Sequence, residues 1–257
     1  MHCRPPAVAG SFYPASSSAL RALLQPWLAT SSTAQAKLRA LILPHAGYCY
    51  SGAIAAAGYR LLKAGDFQRV LLLCPNHSLP LMGMAIPGVE SFTTPLGAVP
   101  IDHSGRQQAL QLAAVQQRDD VHQQEHAIEV QLPFLQLTLK EFLLLPLIVG
   151  DCPASSVAAV LEQQLDPQCL LLVSSDLSHY LNSRQAEQRD GATLQQILAL
   201  QGELDGEQAC GCHAINGTLQ WAARHGLQAR RVAVPEVGGA FEGVEAAERA
   251  QDGAAGF

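Results

Sequence analysis

Four short apolar segments with the character of interior β-strands constrain the fold of this chain more than any other feature. They occupy residues 39–43, 70–74, 143–149 and 170–174, and each is bounded by Pro, Gly, Asn or Asp. Of the 257 residues, 48% are hydrophobic and only 15% are charged, so much of the chain must be buried. A sheet covered on both faces satisfies that requirement.

Helical patterns separate the strand segments and indicate the fold class. The predicted helices are 54–63, 104–115, 127–139, 155–164, 185–200 and 212–225. Alternation of strand and helix predicts an α/β fold, a sheet of mainly parallel strands flanked by helices. Residues 83–102 break the alternation with several Pro and Gly, which predicts an inserted hairpin. Without a Gly- or Ser-rich linker, residues 1–257 are expected to form a single domain.

Charge and cysteine content exclude several classes of protein. The net charge is -6 and the 16 Lys and Arg residues are scattered, which argues against a nucleic-acid partner. The longest strongly apolar run, 142–149, is too short to span a bilayer, so no membrane association is expected. Seven dispersed cysteines fit a reducing compartment, and we therefore expect a cytoplasmic protein.

Functional groups follow the predicted strands at the point where each strand ends. His45 and His77 are 32 residues apart, close to the length of one strand–helix–strand unit, so both side chains should lie at one edge of the sheet. Two convergent imidazoles with a carboxylate or thiolate suit iron, copper or zinc. The alternative is that each histidine only caps a strand or fills the core.

Asp176 and His179 follow the fourth strand with a spacing of three residues, which places them on one side of a turn. They are candidates for metal ligands, for an acid–base pair, or for a structural hydrogen bond. Serines 174, 175 and 178 also raise the possibility of a serine hydrolase, but the glycines of a nucleophile elbow are absent.

His126 and Glu129 have the same three-residue spacing at a predicted helix start. Glu129 is therefore a candidate acceptor for the second ring nitrogen of a ligating histidine, a support that metal sites usually need. The alternative is a solvated helix face, since the apolar residues that follow define another, buried face.

Cys210 and Cys212 open the last predicted helix with His213, in a C-x-C-H order that differs from the paired C-x-x-C of structural zinc sites. A thiolate at a helix start is favoured by the helix dipole and becomes a better metal ligand. Tyr48 and Tyr180 lie beside the candidate ligands and either line a pocket or are ordinary half-buried residues.

Taken in order, these motifs resemble the Memo family, which includes the B component of the AmmeMemoRadiSam set. The matching stretches are residues 4–14, 44–52, 75–77, 125–134, 174–180 and 210–211. The resemblance implies a fold similar to the LigB-type class III non-haem iron extradiol dioxygenases. It also implies iron or copper held by His45, His77 and Cys210, with Asp176 and His179 lining the same pocket.

Two departures from the family pattern bear on these expectations. Cys212 stands where the family usually has another residue, and it could compete as a ligand or pair with the first thiol. Residues 232–257 lack the family's usual closing motifs, so this divergent tail is expected to alter or lose the last strand.

Three functions follow as hypotheses. The first is an iron(II) redox enzyme with His179 as acid–base group and Asp176 orienting it. The second is a non-catalytic protein that binds iron or copper, a small molecule or peptide, or a partner from the AmmeMemoRadiSam set. The third, zinc-dependent hydrolysis, is allowed by the ligand types but has no supporting helix signature.

Overall fold

The structure is a computed structural model and describes residues 2–29, 38–232 and 244–247. The strands are β1 (Cys3–Arg4), β2 (Leu38–Leu43), β3 (Arg69–Pro75), β4 (Met84–Ile86), β5 (Ser91–Thr94), β6 (Gly97–Pro100), β7 (Val115–Gln117), β8 (Leu143–Val149), β9 (Cys169–Ser174), β10 (Gln228–Arg231) and β11 (Val244–Ala247). The helices are α1 (Ser17–Leu28), α2 (Tyr48–Tyr59), α3 (His103–Ala109), α4 (Asp119–Gln123), α5 (His126–Glu129), α6 (Leu132–Thr138), α7 (Ala154–Gln164), α8 (Ser183–Leu198) and α9 (Cys212–Arg224).

The main sheet has the strand order β10-β11-β2-β9-β3-β8-β4-β7. Its centre, β2, β9, β3 and β8, is parallel throughout, while β11 and β4 run antiparallel to the central strands beside them. These four central strands are the four apolar segments recognised in the sequence. The predicted α/β fold with a mainly parallel sheet is confirmed.

Helices cover both faces of this sheet because the strand side chains alternate between two apolar layers. In β3, Val70 and Leu72 belong to one layer, whereas Leu71 and Leu73 belong to the other. Helices α1, α2 and α6 pack on the first layer, and α7 and α9 on the second. Burial on both faces explains why the central strands are continuously apolar.

Several helix predictions needed correction. The predicted helix 104–115 ends at Ala109, and Val115 begins β7, which pairs with β4. The predicted helix 127–139 is two short helices, α5 and α6, and Pro133 lies in the first turn of the second. Helix α1 is absent from the predicted helices, and Pro26 lies in its last turn.

The hairpin expected within residues 83–102 is present as β5 and β6. Strand β5 also pairs with β1, which makes a separate three-stranded sheet, and Met84–Ile86 instead joins the main sheet. Of the divergent tail, Val244–Ala247 forms a strand between β10 and β2, so a final strand is not lost. Residues 233–243 and 248–257 lie outside the described residues.

Within the described part of the chain, no helix combines the length and apolar character needed to cross a membrane.

His122 of α4 is a buried histidine that links the two sheets. Its Nε2 lies 3.0 Å from the carbonyl oxygen of Ala85, and its ring meets Phe92 edge-on. Because a carbonyl oxygen only accepts, Nε2 carries the proton, and the buried Nδ1 has no hydrogen-bond partner among the described residues. Burial lowers the pKa of His122 to about 4, so the folded protein holds this ring neutral.

We therefore expect His122 to weaken folding under mild acid. The unfolded chain binds a proton at His122 below about pH 6.5 whereas the folded chain does so only near pH 4, which removes about 2 kcal/mol of unfolding free energy between about pH 7 and pH 5. Urea unfolding of metal-free wild type and His122→Gln at both pH values measures this difference. The variant should lose less stability on acidification, and an equal loss in both proteins would contradict the assignment.

Candidate metal centre

The carboxyl ends of β2, β3 and β9 share one edge of the sheet because these strands are parallel neighbours. His45 follows β2, His77 follows β3 and Asp176 follows β9. The loops after the strands therefore deliver these three side chains to one place.

A cluster of three imidazoles forms at this edge from His45, His77 and His126. One ring nitrogen of each lies within 4.8 Å of those of the other two. The ring centroids of His77 and His126 are 4.8 Å apart and nearly stacked, and His45 meets both rings edge-on. His126, expected only to line or support the pocket, is placed where it can itself offer a nitrogen.

Cys210 completes the cluster with sulfur. Its Sγ lies 3.4 Å from His45 Nε2 and 3.3 Å from the backbone nitrogen of Asp176, which donates to it. Burial opposes ionisation, but hydrogen bonds from His45 and His77 prevail and lower the pKa of the Cys210 thiol to about 6. The side chain is therefore largely a thiolate at neutral pH.

Glu125 orients His77 and was missed in the sequence. Its carboxylate is buried, accepts from the backbone nitrogens of His77 and Ala127, and lies 3.0 Å from His77 Nδ1. Burial opposes the charge of Glu125, yet its hydrogen bond and ion pair with His77 lower the pKa to about 2. Because Nδ1 donates to this carboxylate, the Nε2 of His77 faces the other ligands.

The same contacts act on His77, whose charged form is disfavoured by burial. Hydrogen bonds to Cys210 and Glu125 outweigh that cost and raise the pKa of His77 to about 10. Burial and the neighbouring His45 and His77 lower the pKa of His126 to about 4. In the absence of metal, the His77 imidazolium thus sits between a carboxylate and a thiolate, beside the neutral imidazole of His126.

Ser174 fixes the orientation of His45. Its hydroxyl donates to the carbonyl oxygen of Ala127 at 2.7 Å, so its oxygen is left to accept from His45 Nδ1 at 3.0 Å. His45 Nε2 is then free to face Cys210. Ser174 is thus a buried support for a histidine, an arrangement unlike a serine nucleophile.

Asp176 and His179 lie at the same edge but do not form the expected orienting hydrogen bond. Asp176 Oδ1 accepts from the backbone nitrogen of His45, and its Oδ2 is 3.9 Å from His179 Nε2. His179 is about half exposed, so it lies nearer the surface than His45 and Cys210.

The donor set fits a divalent first-row transition metal. Imidazole nitrogen suits iron, copper and zinc, and thiolate favours the softer ions among these. Each of His45 and His77 has its Nδ1 engaged by an oxygen acceptor, which leaves Nε2 for a metal, as ligating histidines require.

Comparison with known proteins identifies the family of this chain. A family model described as Memo-like protein matches residues 4–220. A MEMO1 family protein of Aquifex aeolicus is 34% identical over 195 residues, 74% of this chain and 72% of that protein. This chain belongs to the Memo family.

Animal relatives in the Memo family match more of this chain than of their own length. The memo-1 homolog of Caenorhabditis elegans is 33% identical over 70% of this chain and 53% of its own length, and MEMO1 of Danio rerio is 33% identical over 70% and 64%. The crystal structure of an uncharacterized Escherichia coli K12 protein matches with a TM-score of 0.51 at 14% identity, over 81% of this chain and 99% of that one. That structure shares the fold.

Glu129 does not support a ligating histidine in this Memo-family chain. Its buried carboxylate accepts from Arg4, from Tyr13 and from the backbone nitrogens of Ala7 and Val8. These four donors from the N-terminal segment occupy the carboxylate, so the predicted contact with a ring nitrogen is wrong.

Three other predicted pocket residues lie away from the donors. Tyr48 is buried, and its hydroxyl donates to the carbonyl oxygen of Val130. Tyr180 is fully exposed, with a φ of 60°. Cys212 is buried in the second apolar layer, where burial raises the pKa of its thiol, so it is unsuited to compete with Cys210 as a ligand.

We expect Glu125→Gln to weaken metal binding about 10- to 100-fold, because the amide neither balances the charge of His77 nor fixes its tautomer. Titration of cobalt(II) or zinc(II) against a competing chelator measures the affinity. Asp102→Asn is the matched control, since Asp102 is an equally buried carboxylate that binds Arg69 at the opposite end of β3. Equal affinities in the two variants would show that Glu125 has no role at the metal.

Proposed function

We propose that this chain binds iron(II) through His45, His77 and Cys210 and acts as an iron-dependent redox enzyme related to the non-haem dioxygenases. The observation that carries the proposal is that Cys210 Sγ lies beside the cluster of three imidazoles, and that in two of these, His45 and His77, Nδ1 is bound by an oxygen acceptor. Copper is the second candidate metal, and zinc fits the proposed chemistry less well.

When bound, iron(II) with open coordination positions supplies redox chemistry with dioxygen and a substrate. The chain's own residues position the ligands and exchange protons. Asp176 joins the two ligand loops, since its carboxylate accepts from the His45 backbone and its own backbone nitrogen donates to Cys210. We assign proton exchange with the substrate to His179, because its half-exposed ring can also exchange protons with solvent.

A second candidate is a non-catalytic protein that binds iron or copper, or that holds a peptide or an AmmeMemoRadiSam partner in this pocket. The Cys210 thiolate favours it, because a soft sulfur ligand suits copper(I) and differs from the carboxylate of the usual iron facial triad. Either function fits a cytoplasmic protein.

We expect anaerobically purified wild type to carry near-stoichiometric iron or copper, and Cys210→Ser and His77→Ala to lose it. Elemental analysis followed by electron paramagnetic resonance identifies the metal and its state. Cys212→Ser is the control thiol, expected to keep the metal because that side chain lies in the apolar layer. Full metal content in Cys210→Ser would exclude the thiolate as a ligand.

The enzyme hypothesis has a separate test. Iron(II)-loaded wild type should consume dioxygen steadily with a member of a catechol panel, and His179→Gln should slow this about 10²- to 10⁴-fold while keeping its iron. Oxygen-electrode traces and metal content are measured on the same samples. Uptake absent across the panel would leave the metal-binding or partner-binding function in its place.

A further inference from the structure

Arg4 reaches the segment 122–129, which carries Glu125 and His126, although it lies more than a hundred residues away in the chain. Its side chain is only 4% exposed. Nε donates to the carbonyl oxygen of His122 at 2.8 Å, and the two Nη atoms donate to the Glu125 carbonyl oxygen and to Glu129 Oε2, each at 2.6 Å. One guanidinium thus holds three points of this short segment.

Glu129 returns the contact from the other side. Besides Arg4, its carboxylate accepts from the backbone nitrogens of Ala7 and Val8 and from the Tyr13 hydroxyl. Breaking an ion pair in which a buried carboxylate has a full set of donors is costly, because it would leave a buried charge without a partner. Hydrogen bonds from residues between Arg4 and Tyr13 therefore hold this N-terminal stretch against the segment 122–129.

The same stretch also contacts the loop that carries His45. The ring centroids of Phe12 and His126 are 4.8 Å apart. The carbonyl oxygen of Phe12 accepts from the backbone nitrogen of Tyr48, three residues after His45. The N-terminal stretch therefore joins two ligand loops.

We propose that Arg4 is a positioning residue for this centre: it fixes the backbone at Glu125, and through that carboxylate it sets His77 and His126. The inference rests on the proposed function only where it concerns metal. A guanidinium presents its donors in a rigid plane that fits three separate acceptors, whereas a lysine ammonium is a point charge on a flexible stem. Arg4→Lys keeps the charge and removes this geometry.

Arg69 provides the matched control. It also binds buried acceptors, donating to Asp102 at 2.7 Å and to Asp166 at 3.0 Å, but it begins β3 at the end opposite the ligands. Arg69→Lys should therefore lower stability without disturbing the site.

The first measurement is amide hydrogen exchange on metal-free wild type, Arg4→Lys and Arg69→Lys, in denaturant concentrations that equalise global stability. The backbone nitrogens of His77 and Ala127 donate to Glu125, so they report its position directly. Both amides should exchange about tenfold faster in Arg4→Lys than in Arg69→Lys. Equal rates in the two variants would overturn the inference.

The second measurement is cobalt(II) affinity and its visible spectrum. Arg4→Lys should bind about 10- to 100-fold more weakly with shifted ligand-field bands, and Arg69→Lys should match wild type. Wild-type affinity and spectrum in Arg4→Lys would reduce Arg4 to a stabilising residue and overturn its role at the metal. If wild type binds no cobalt, the proposed function fails, and the exchange rates alone decide whether Arg4 positions Glu125.

Tyr13→Phe is the milder variant if Arg4→Lys does not fold. It removes one donor from Glu129, so the carboxylate that accepts from Arg4 Nη1, and with it the Arg4 side chain, is held less firmly. The amides of His77 and Ala127 should then exchange a few-fold faster than in wild type at equal stability. Unchanged exchange at both positions would count against the inference.

Discussion

Glu125 joins two parts of the chain that are 48 residues apart, because its buried carboxylate accepts from the His77 loop and from the first turn of α5. Burying an isolated carboxylate is costly, so its position is set by the cation it meets. That cation is His77, whose pKa is raised by the neighbouring Cys210 as well as by Glu125. Without metal, the Glu125 carboxylate, the His77 imidazolium and the Cys210 thiolate alternate in charge. A metal ion bound to His77 and Cys210 would replace the proton on the His77 ring.

The centre of the fold could be predicted from sequence because its strands are buried on both faces. Short, continuous apolar runs such as Leu71–Leu73 are typical of strands in this position. Elements that depend on distant partners could not be predicted. Helix α1 contains Pro26, which disfavours a helix locally, and it is stabilised by burial of Leu20 and Leu24 against the first apolar layer. Strand β7 forms by pairing with β4, about thirty residues earlier, so the local sequence of β7 does not predict it.

The candidate site divides in the same way. His45, His77 and Asp176 follow parallel strands, so the topology itself places them at one edge. Local sequence does not show whether Glu125 or Glu129 supports a ligating histidine, since both lie within one turn of His126. Glu129 is occupied by donors more than a hundred residues away in the chain, while Glu125 caps α5 from the position before it. That capping position was the local signal for Glu125.

Cys210 and Cys212 show how two thiols two residues apart acquire opposite character. Cys210 meets the rings of His45 and His77, whose hydrogen bonds favour the thiolate despite its burial. Cys212 begins α9 and packs into the apolar layer, where burial holds it as the neutral thiol. Departure from the family pattern at this position therefore adds a core side chain and leaves the donor set at the sheet edge intact. The helix start alone does not activate a cysteine here; the facing imidazoles do.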